Sequence, residues 1–536
     1  MREIVTLQLG QQSNYLANHF WNTQESYFTY GAEEESPVDH NVHFRPGIGS
    51  DGTETFMPRT VIYDLKGGFG TLRKLNALYE IDDDPAASSL WPGQTVVHRQ
   101  QPIGVHAYQE SLDTGQAPPE LSTSTVRYWS DFNRVFFHPR SIVQLSEYEL
   151  NSTVMPFEKW HMGEELFASL DKEHDLVDRD LRPFIEEADQ MQGLQVMTGI
   201  DDAWGGFAAR YMERLRDEYG KTPIWVFGVQ EPATGLSREK RLLKLVNKAR
   251  ALAELNSQAS LVIPLALPES PLPRSVQLNA SSSWHVSALF AAALESMTLY
   301  TRLRTTDRVY SSNLSNMTDL LNVFGKQTIA NLEMSISEPS KSHRNGANGH
   351  SNGLNGRGEN VRSSYETGIH EDGSEAGSQK GVATLDIDLS SPQDLNLDHN
   401  RRRGRKRHIF SQVLADRGLQ DTDPTVDELE MREQSMRGMR RLKVHNYRSR
   451  VAFPIIDSYP KIFQDSYGHP VKDHVSIQTA LSTDSTVTDK VKALRNTVVR
   501  SIGLEDRETI GNELAEIAES YKEGWSSDSD EDDDDE

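Results

Sequence analysis

The chain has 536 residues, of which 36% are hydrophobic, 25% are charged and none is cysteine, and its formal net charge is -24. This length allows two or three domains with sizeable cores, while the low hydrophobic fraction indicates that part of the chain is unstructured. The absence of cysteine excludes disulfides, thiol catalysis and cysteine zinc sites, and the acidic charge disfavours nucleic acid as a partner.

No stretch is apolar over the roughly eighteen residues that a transmembrane helix needs, so we predict no membrane-spanning segment. The N-terminus has neither the apolar core of a secretory signal nor the Arg-rich, acid-poor character of a mitochondrial presequence.

The first residues predict a strand, a glycine turn and a helix. Residues 4–7 are β-branched and apolar, as a buried parallel strand should be. Residues 10–14 break this run, and apolar residues then return at helical spacing through Phe20. Because Gly10 permits close approach and amides at a helix N-terminus can hold phosphate, the stretch predicts the opening of an α/β nucleotide-type domain.

This opening resembles a known family. Residues 1–5 and six later residues match the N-terminus of tubulin in one register, the six being Gln8, Gly10, Gln11, Asn14, Phe20 and Trp21. Residues 12–15 and 22–25 depart from tubulin and resemble the Misato family of divergent tubulin-like proteins, in a fungal-type form. The resemblance implies an α/β tubulin-like domain, with a parallel sheet flanked by helices, followed by a smaller α+β domain. It also makes GTP the candidate cofactor.

Residues 58–70 predict a second buried strand that ends in an acid and a glycine-rich turn. The stretch resembles the tubulin strand whose acid lies near the magnesium of the nucleotide. Asp64 is kept, but Lys66 stands where the second acid would be, and lysine neutralises phosphate without ligating a metal. Gly67 and Gly68 are therefore candidate phosphate contacts, with a purely structural turn as the alternative.

Three other patterns are less specific. We predict a loop at residues 31–58 and irregular structure at residues 81–125, because both stretches are rich in turn residues. The aromatic residues within 128–137 are interpreted as core, with a partner-binding face as the alternative. The histidines form no convincing ligand pattern, so we assign no metal site.

The loop at residues 200–206 decides between two views of the site. Residues 160–167 resemble the tubulin stretch that leads into its third helix, and residues 215–219 match the end of the following helix and fix the register. In tubulin the intervening loop reads Gly-Gly-Gly-Thr-Gly-Ser-Gly and wraps the phosphates. Here it reads Ile-Asp-Asp-Ala-Trp-Gly-Gly, so only Gly205 and Gly206 survive as candidate contacts.

Asp201, Asp202 and Trp204 occupy the rest of this loop. Each charge-assisted bond from an amide to phosphate contributes about 1.5–3 kcal/mol, so losing several would remove most of a nucleotide's binding energy. Carboxylates facing phosphate add repulsion unless a cation bridges them. We favour N-capping of a helix at residues 207–219 as the role of the two aspartates, over metal-bridged phosphate binding.

Strands alternate with helices through the remaining regular part. The predicted elements are strands at 192–197, 223–229 and 261–265, and helices at 237–256 and 286–304. The helix at 237–256 is basic and amphipathic, and we favour packing on the sheet over membrane binding. The helix at 286–304 resembles the one that begins the second tubulin domain. Its first carboxylate is Glu295, so the acid that in tubulin activates the water attacking a neighbour's nucleotide is missing.

Changes in composition predict four parts of the chain. They are a tubulin-like domain at 1–265, a second α+β domain at 266–334 and 405–522, a disordered insertion at 335–404, and a disordered acidic tail at 523–536. The basic cluster at 401–407 is interpreted as a solvated linker edge, with a nuclear address or an acidic-partner contact as alternatives. Residues 451–463 resemble the C-terminal region of Misato proteins, and 475–481 and 491–499 predict further elements.

The resemblance implies a role in mitochondrial distribution and partitioning and in inheritance of mitochondrial DNA. The first hypothesis is a non-catalytic interaction protein, with no catalytic residue assigned, at the cytosolic face of the outer mitochondrial membrane or in the cytoplasm. Its expected partners are mitochondrial or cytoskeletal proteins, together with the cytosolic chaperonin during folding.

The second hypothesis is a GTP-binding, cytoskeletal tubulin-like protein with weak or no hydrolysis. Its degenerate nucleotide site consists of Gly10, Gln11, Asn14, Asp64, Gly67, Gly68, Gly205 and Gly206. The altered loop and the missing acid make us favour the first hypothesis.

Overall fold

The structure is a computed structural model. It describes residues 2–29, 35–48, 54–72, 103–232, 235–268, 271–304, 312–337, 384–390, 407–418, 443–501 and 503–522.

Strands and helices alternate along most of the described chain. The strands are β1 (Glu3–Leu9), β2 (Phe44–Ile48), β3 (Glu54–Pro58), β4 (Thr60–Lys66), β5 (Ile142–Glu149), β6 (Met191–Gly199), β7 (Ile224–Val229), β8 (Leu261–Leu265), β9 (Asn331–Ser337), β10 (Ile387–Asp388), β11 (Ile409–Arg417), β12 (Lys443–Ser449), β13 (Phe453–Pro454) and β14 (His474–Asp484). The α-helices are α1 (Gln11–Glu25), α2 (Ala107–Thr114), α3 (Trp160–His174), α4 (Arg182–Glu186), α5 (Ala203–Glu218), α6 (Arg238–Gln258), α7 (Ser283–Thr298), α8 (Leu314–Leu321), α9 (Thr486–Val498) and α10 (Leu504–Ser520).

Six parallel strands form the first sheet, in the spatial order β5, β4, β1, β6, β7, β8. Every residue of β1, β7 and β8 is buried, as expected for strands covered on both faces. Helices α3, α5 and α6 share a core with one face of this sheet, and α9 and α10 join the same core. Helices α1 and α7 cover the other face.

The second sheet has the order β10, β9, β14, β11, β12, and it is antiparallel except for the parallel pair of β11 and β12. Its apolar side chains share a core with α7. Nearly every residue of α7 is buried, because this helix lies between the two sheets. The α/β class and the parallel sheet agree with the prediction. The domain boundary at residue 265 stays a prediction, because α9 and α10 come from the predicted second domain but pack with the first sheet.

Two predictions of irregular structure were wrong in part. Within 31–58, β2 and β3 form an antiparallel hairpin that pairs Phe44 with Pro58, since proline and glycine are tolerated in a two-stranded edge ribbon. Within 81–125, α2 is capped by the His106 side chain and ends at Gly115, which has a φ of 67°. Residues 81–102 lie outside the described residues.

The aromatic stretch was correctly assigned to the core. Trp129, Phe132 and Phe137 are buried, whereas Phe136 is exposed. The short helix around Trp129 packs on α1, where Asn18 donates a hydrogen bond to the Trp129 carbonyl at 2.7 Å.

The prediction of disorder at 335–404 is wrong for the two described parts of that range, which contain strand residues. Residues 335–337 belong to β9, and β10 pairs with it, placing Ile387 opposite Met334. Arg407 is not at a solvated edge as predicted, because its guanidinium forms ion pairs with Glu333 and Asp484. The rest of the basic cluster and the acidic tail lie outside the described residues. In the described part of the chain, no helix has the length and apolarity to cross a membrane.

Candidate functional site

The candidate nucleotide site lies at the carboxyl ends of β1, β4, β6 and β7. Gly10 connects β1 to α1 with a φ of 84°, and its amide donates a hydrogen bond to the Tyr63 carbonyl at 3.0 Å. A Cβ atom at Gly10 would lie 2.5 Å from Cδ1 of Trp204. Glycine is therefore needed at position 10 both for its positive φ and because another group packs closely against it. That group is the indole ring of Trp204, not a phosphate.

Trp204 lies in the first turn of α5 and is 5% exposed. Its ring contacts Phe157 and Phe207, with centroid distances of 5.3 and 5.6 Å and edge-to-face geometry. Phe157 belongs to the loop between β5 and α3, so residues from three segments meet beside Gly10. The indole fills the space through which a phosphate would approach the Gly10 backbone.

Gln11, Asn14 and Asp64 form a closed polar cluster next to this turn. One carboxylate oxygen of Asp64 accepts hydrogen bonds from the side-chain amides of Gln11 and Asn14 at 2.6 and 2.7 Å, and the other accepts from the Leu65 amide at 2.8 Å. Gln11 also donates to the Gly68 carbonyl at 2.6 Å. Burial raises the pKa of Asp64 to about 7. The sequence prediction placed these residues together, and the structure brings them into contact.

The glycine turn after β4 has one constrained and one open position. Gly67 has a φ of 86°, and no described residue lies within 4 Å of where its Cβ would be, whereas a Cβ at Gly68 would lie 2.8 Å from a carboxylate oxygen of Asp64. Lys66 is exposed beside them. Gly67 is required by its positive φ, and Gly68 by the close approach of the Asp64 carboxylate. Of the two, only Gly67 has no described residue packed against it.

Gly205 and Gly206 lie inside α5, which begins at Ala203 and not at residue 207 as predicted. A Cβ at Gly205 would lie 3.0 Å from the Trp160 ring, and one at Gly206 would overlap the Trp160 carbonyl oxygen. On the facing helix α3, a Cβ at Gly163 would lie 2.7 Å from the Phe207 nitrogen. The two surviving glycines therefore permit close packing of α3 on α5, a role that the aligned sequence did not reveal.

Asp202 caps α5, as predicted. Its carboxylate accepts a hydrogen bond from the Trp204 amide at 2.9 Å, and its carbonyl accepts one from the Gly205 amide at 3.3 Å. The group that accepts hydrogen bonds from this helix N-terminus is thus supplied by the chain itself. Burial, and then the neighbouring Asp201, raise the pKa of Asp202 to about 8.

Asp201 does not cap the helix, which corrects the prediction for this residue. Its carboxylate accepts a hydrogen bond from the Glu231 amide at 3.1 Å and forms an ion pair of 3.0 Å with Lys244. Lys244 also pairs with the Glu231 carboxylate at 2.9 Å, and Gln12 donates to the same carboxylate at 3.0 Å. Lys244 comes from α6 and is 15% exposed, so the basic helix predicted at 237–256 supplies the cation of the site.

The Asp202 carboxyl predicts a specific pH dependence of stability. In the folded state it keeps its proton up to about pH 8, whereas the unfolded chain loses it above about pH 3.8. The unfolded state then binds fewer protons, so this group lowers the free energy of unfolding as pH rises between those values, by at most about 1.4 kcal/mol per pH unit. Asp202→Asn keeps a capping oxygen and should remove this contribution.

Urea denaturation of wild type and Asp202→Asn, at several values between about pH 5 and pH 8, measures the difference. The variant should gain stability over wild type as pH rises. The control is Asp217→Asn, at an exposed position of the same helix, which should follow the wild-type profile. Parallel profiles for wild type and Asp202→Asn would contradict the assignment.

The residues present do not fit a nucleotide phosphate at Gly10. Trp204 occupies the approach, Asp202 uses the first amides of α5, and Asp64 and Asp201 place carboxyl groups nearby. Among the described residues, no group of three or more His, Cys, Asp or Glu side chains is arranged to hold a metal ion. Glu295, the first carboxylate of α7, is fully buried in ion pairs with Arg302 and Arg417.

Comparison with known proteins gives the class and then the family. Residues 2–114 match the family model described as Misato Segment II tubulin-like domain, and residues 118–303 match the one described as Tubulin domain. With the parallel sheet and its glycine turn, these matches define a tubulin-like protein, as the sequence predicted.

Curated fungal relatives resemble the chain over its whole length. It is 53% identical to Protein dml-1 of Neurospora crassa over 551 aligned residues and 47% identical to Protein DML1 of Gibberella zeae over 540, with 100% of each chain covered in both cases. Protein dml1 of Schizosaccharomyces pombe is 35% identical over 60% of this chain and 69% of its own. The chain belongs to the Misato/DML1 family of tubulin-like proteins.

Proposed function

We propose that this chain is a non-catalytic, tubulin-related interaction protein that acts in mitochondrial distribution and partitioning and in inheritance of mitochondrial DNA. The observation that carries the non-catalytic part is the position of Trp204 against Gly10. A tubulin-like fold binds nucleotide through backbone amides at this turn and at the N-terminus of the helix that follows β6. Both places are taken by side chains of the protein.

The loss of binding energy can be estimated from the contacts that are replaced. Each amide bond to phosphate contributes about 1.5–3 kcal/mol, and Asp202 already accepts from the amide that a phosphate would use at α5. The Lys244 ion pairs tie α6 to Asp201 and Glu231 and neutralise part of the negative charge. In this proposal the tubulin-like fold is kept as a surface that other proteins bind.

The mitochondrial part of the proposal rests on the resemblance to Misato proteins. We place the protein in the cytoplasm and at the cytosolic face of the outer mitochondrial membrane. Its partners there are proteins of mitochondria or of the cytoskeleton, and its folding uses the cytosolic chaperonin.

A GTP-binding protein with weak or no hydrolysis is the second candidate function. The observation that favours it is the retained cluster of Gln11, Asn14 and Asp64 beside Gly67, whose outer side is open. In that case Lys66, which is exposed at the same turn, would contact the phosphates.

Complementation separates the two candidates. In a fungal strain that lacks the gene, we expect abnormal mitochondrial distribution and loss of mitochondrial DNA, both restored by the wild-type chain. Lys66→Glu should restore them equally well, as should the matched control Lys221→Glu at another exposed lysine. Failure of Lys66→Glu alone, at normal protein level, would favour GTP binding, and normal mitochondria in the deletion strain would overturn the mitochondrial role.

A further inference from the structure

The outer edge of β5 is unpaired within the described part of the chain. β5 pairs with β4 on one side, and no described residue forms a backbone hydrogen bond with its other side. The opposite edge of the sheet is covered, since Val262 of β8 exchanges hydrogen bonds with Thr328 and Ala330 at 2.7 and 3.0 Å. An edge strand with unpaired amides and carbonyls is a template for another strand.

Only the first half of β5 has a regular edge. Residues 142–145 pair in register with 62–65, and a register shift then places Lys66 opposite Glu149. An open groove of about 600 Å³ runs beside the regular half, lined by Arg140, Ile142, Val143, Gln144, Arg179 and Asp180. Among the described residues, this half has unpaired backbone groups to which one further strand could pair, over a short length because the bulge interrupts the ladder.

The charges along β5 are separated by sign. Arg140 is exposed at the amino end, while Glu147 and Glu149 are exposed at the carboxyl end. Within the described part of the chain, none of these three side chains is in an ion pair. Two copies of this strand placed side by side in parallel would bring like charges together, whereas antiparallel copies would bring Arg140 of one near the glutamates of the other.

We propose that a second copy of this chain docks on β5 in antiparallel orientation, joining two six-stranded sheets across a two-fold axis. The short ladder makes the dimer weak, so it forms at high local concentration. This interface is independent of the proposed function.

Disulfide trapping tests the geometry directly, because the chain has no cysteine of its own. Gln144→Cys and Ser146→Cys are at exposed positions on the same face of β5. Under mild oxidation of the full chain, we expect a covalent dimer from Gln144→Cys alone if the axis passes through residue 144, or from a mixture of the two variants if it passes through 145. The control Arg274→Cys, at an exposed site elsewhere, should stay monomeric.

Charge reversal tests the same interface without a covalent bond. In sedimentation velocity, Arg140→Glu should weaken dimerisation about tenfold or more, and Glu147→Arg with Glu149→Arg should do the same. Combining all three substitutions should restore the dimer, whereas Arg274→Glu should have no effect. A wild-type chain that stays monomeric at every concentration, or a dimer unaffected by these changes, would overturn the proposal.

Discussion

Glu295→Gln is expected to lower the free energy of unfolding by about 3–5 kcal/mol, because it leaves two buried guanidinium groups without their anion. Glu295 is on α7, and its side chain is fully buried. It forms ion pairs with Arg417 of β11 and, at 2.9 Å, with Arg302. Although burial alone would raise it, these two arginines hold the pKa of Glu295 below its usual range.

Other contacts make the geometry of this carboxylate hard to replace. Tyr27, after α1, donates a hydrogen bond to Glu295 at 3.0 Å and accepts one from Arg417 at 2.8 Å. Arg302 also donates to Gln24 of α1 at 2.7 Å. One carboxylate therefore joins α1, α7 and the second sheet, so its loss should weaken the core that these elements share.

Chemical denaturation measures this effect against a matched surface change. Glu213→Gln removes one of the three acidic partners of Arg210, in a half-exposed ion pair of 2.7 Å, and should cost no more than about 1 kcal/mol. A loss below about 1 kcal/mol for Glu295→Gln as well would show that water reaches the two arginines.

Trp204→Ala is expected to cost about 3–5 kcal/mol, the usual range for removing a buried tryptophan. The substitution removes the ring contacts to Phe157 and Phe207 and leaves a cavity next to Gly10. Trp204→Phe keeps an aromatic ring in the same cluster and should cost less. Urea denaturation of both variants gives the comparison.

Added indole provides a test of location. Indole should raise the melting temperature of Trp204→Ala, because a ligand that binds only the folded state stabilises it. It should leave wild type and Trp204→Phe unchanged. A loss of stability below about 1 kcal/mol for Trp204→Ala, or no effect of indole, would mean that the ring does not fill this space.

Local patterns predicted the elements of the first sheet. The apolar run at residues 4–7 became β1, and Asp202 caps the helix that follows β6, because strand burial and capping depend on neighbours along the chain. The cluster of Gln11, Asn14 and Asp64 was predicted from the family resemblance, which placed two distant segments together.

Contacts between distant segments were not predictable in the same way. No pattern near Trp204 reveals that its ring ends beside Gly10, and no pattern in α6 distinguishes Lys244 from its solvated neighbours. Arg417 and Glu295 are 122 positions apart, so their pairing depends on how the second sheet packs on α7. The loop predicted at residues 31–58 was wrong in part, because the many turn residues of this stretch indicate a loop although it contains the short hairpin of β2 and β3.

The most direct test of the closed nucleotide site is titration calorimetry of the full native chain with GTP and magnesium. Asp201→Gly with Asp202→Gly, which returns two glycines to the loop before α5, provides the comparison. The native chain should show no binding, and any affinity should appear only in the glycine variant. Saturable binding by the native chain with a dissociation constant of about 1 μM, near −8 kcal/mol, would contradict the non-catalytic account.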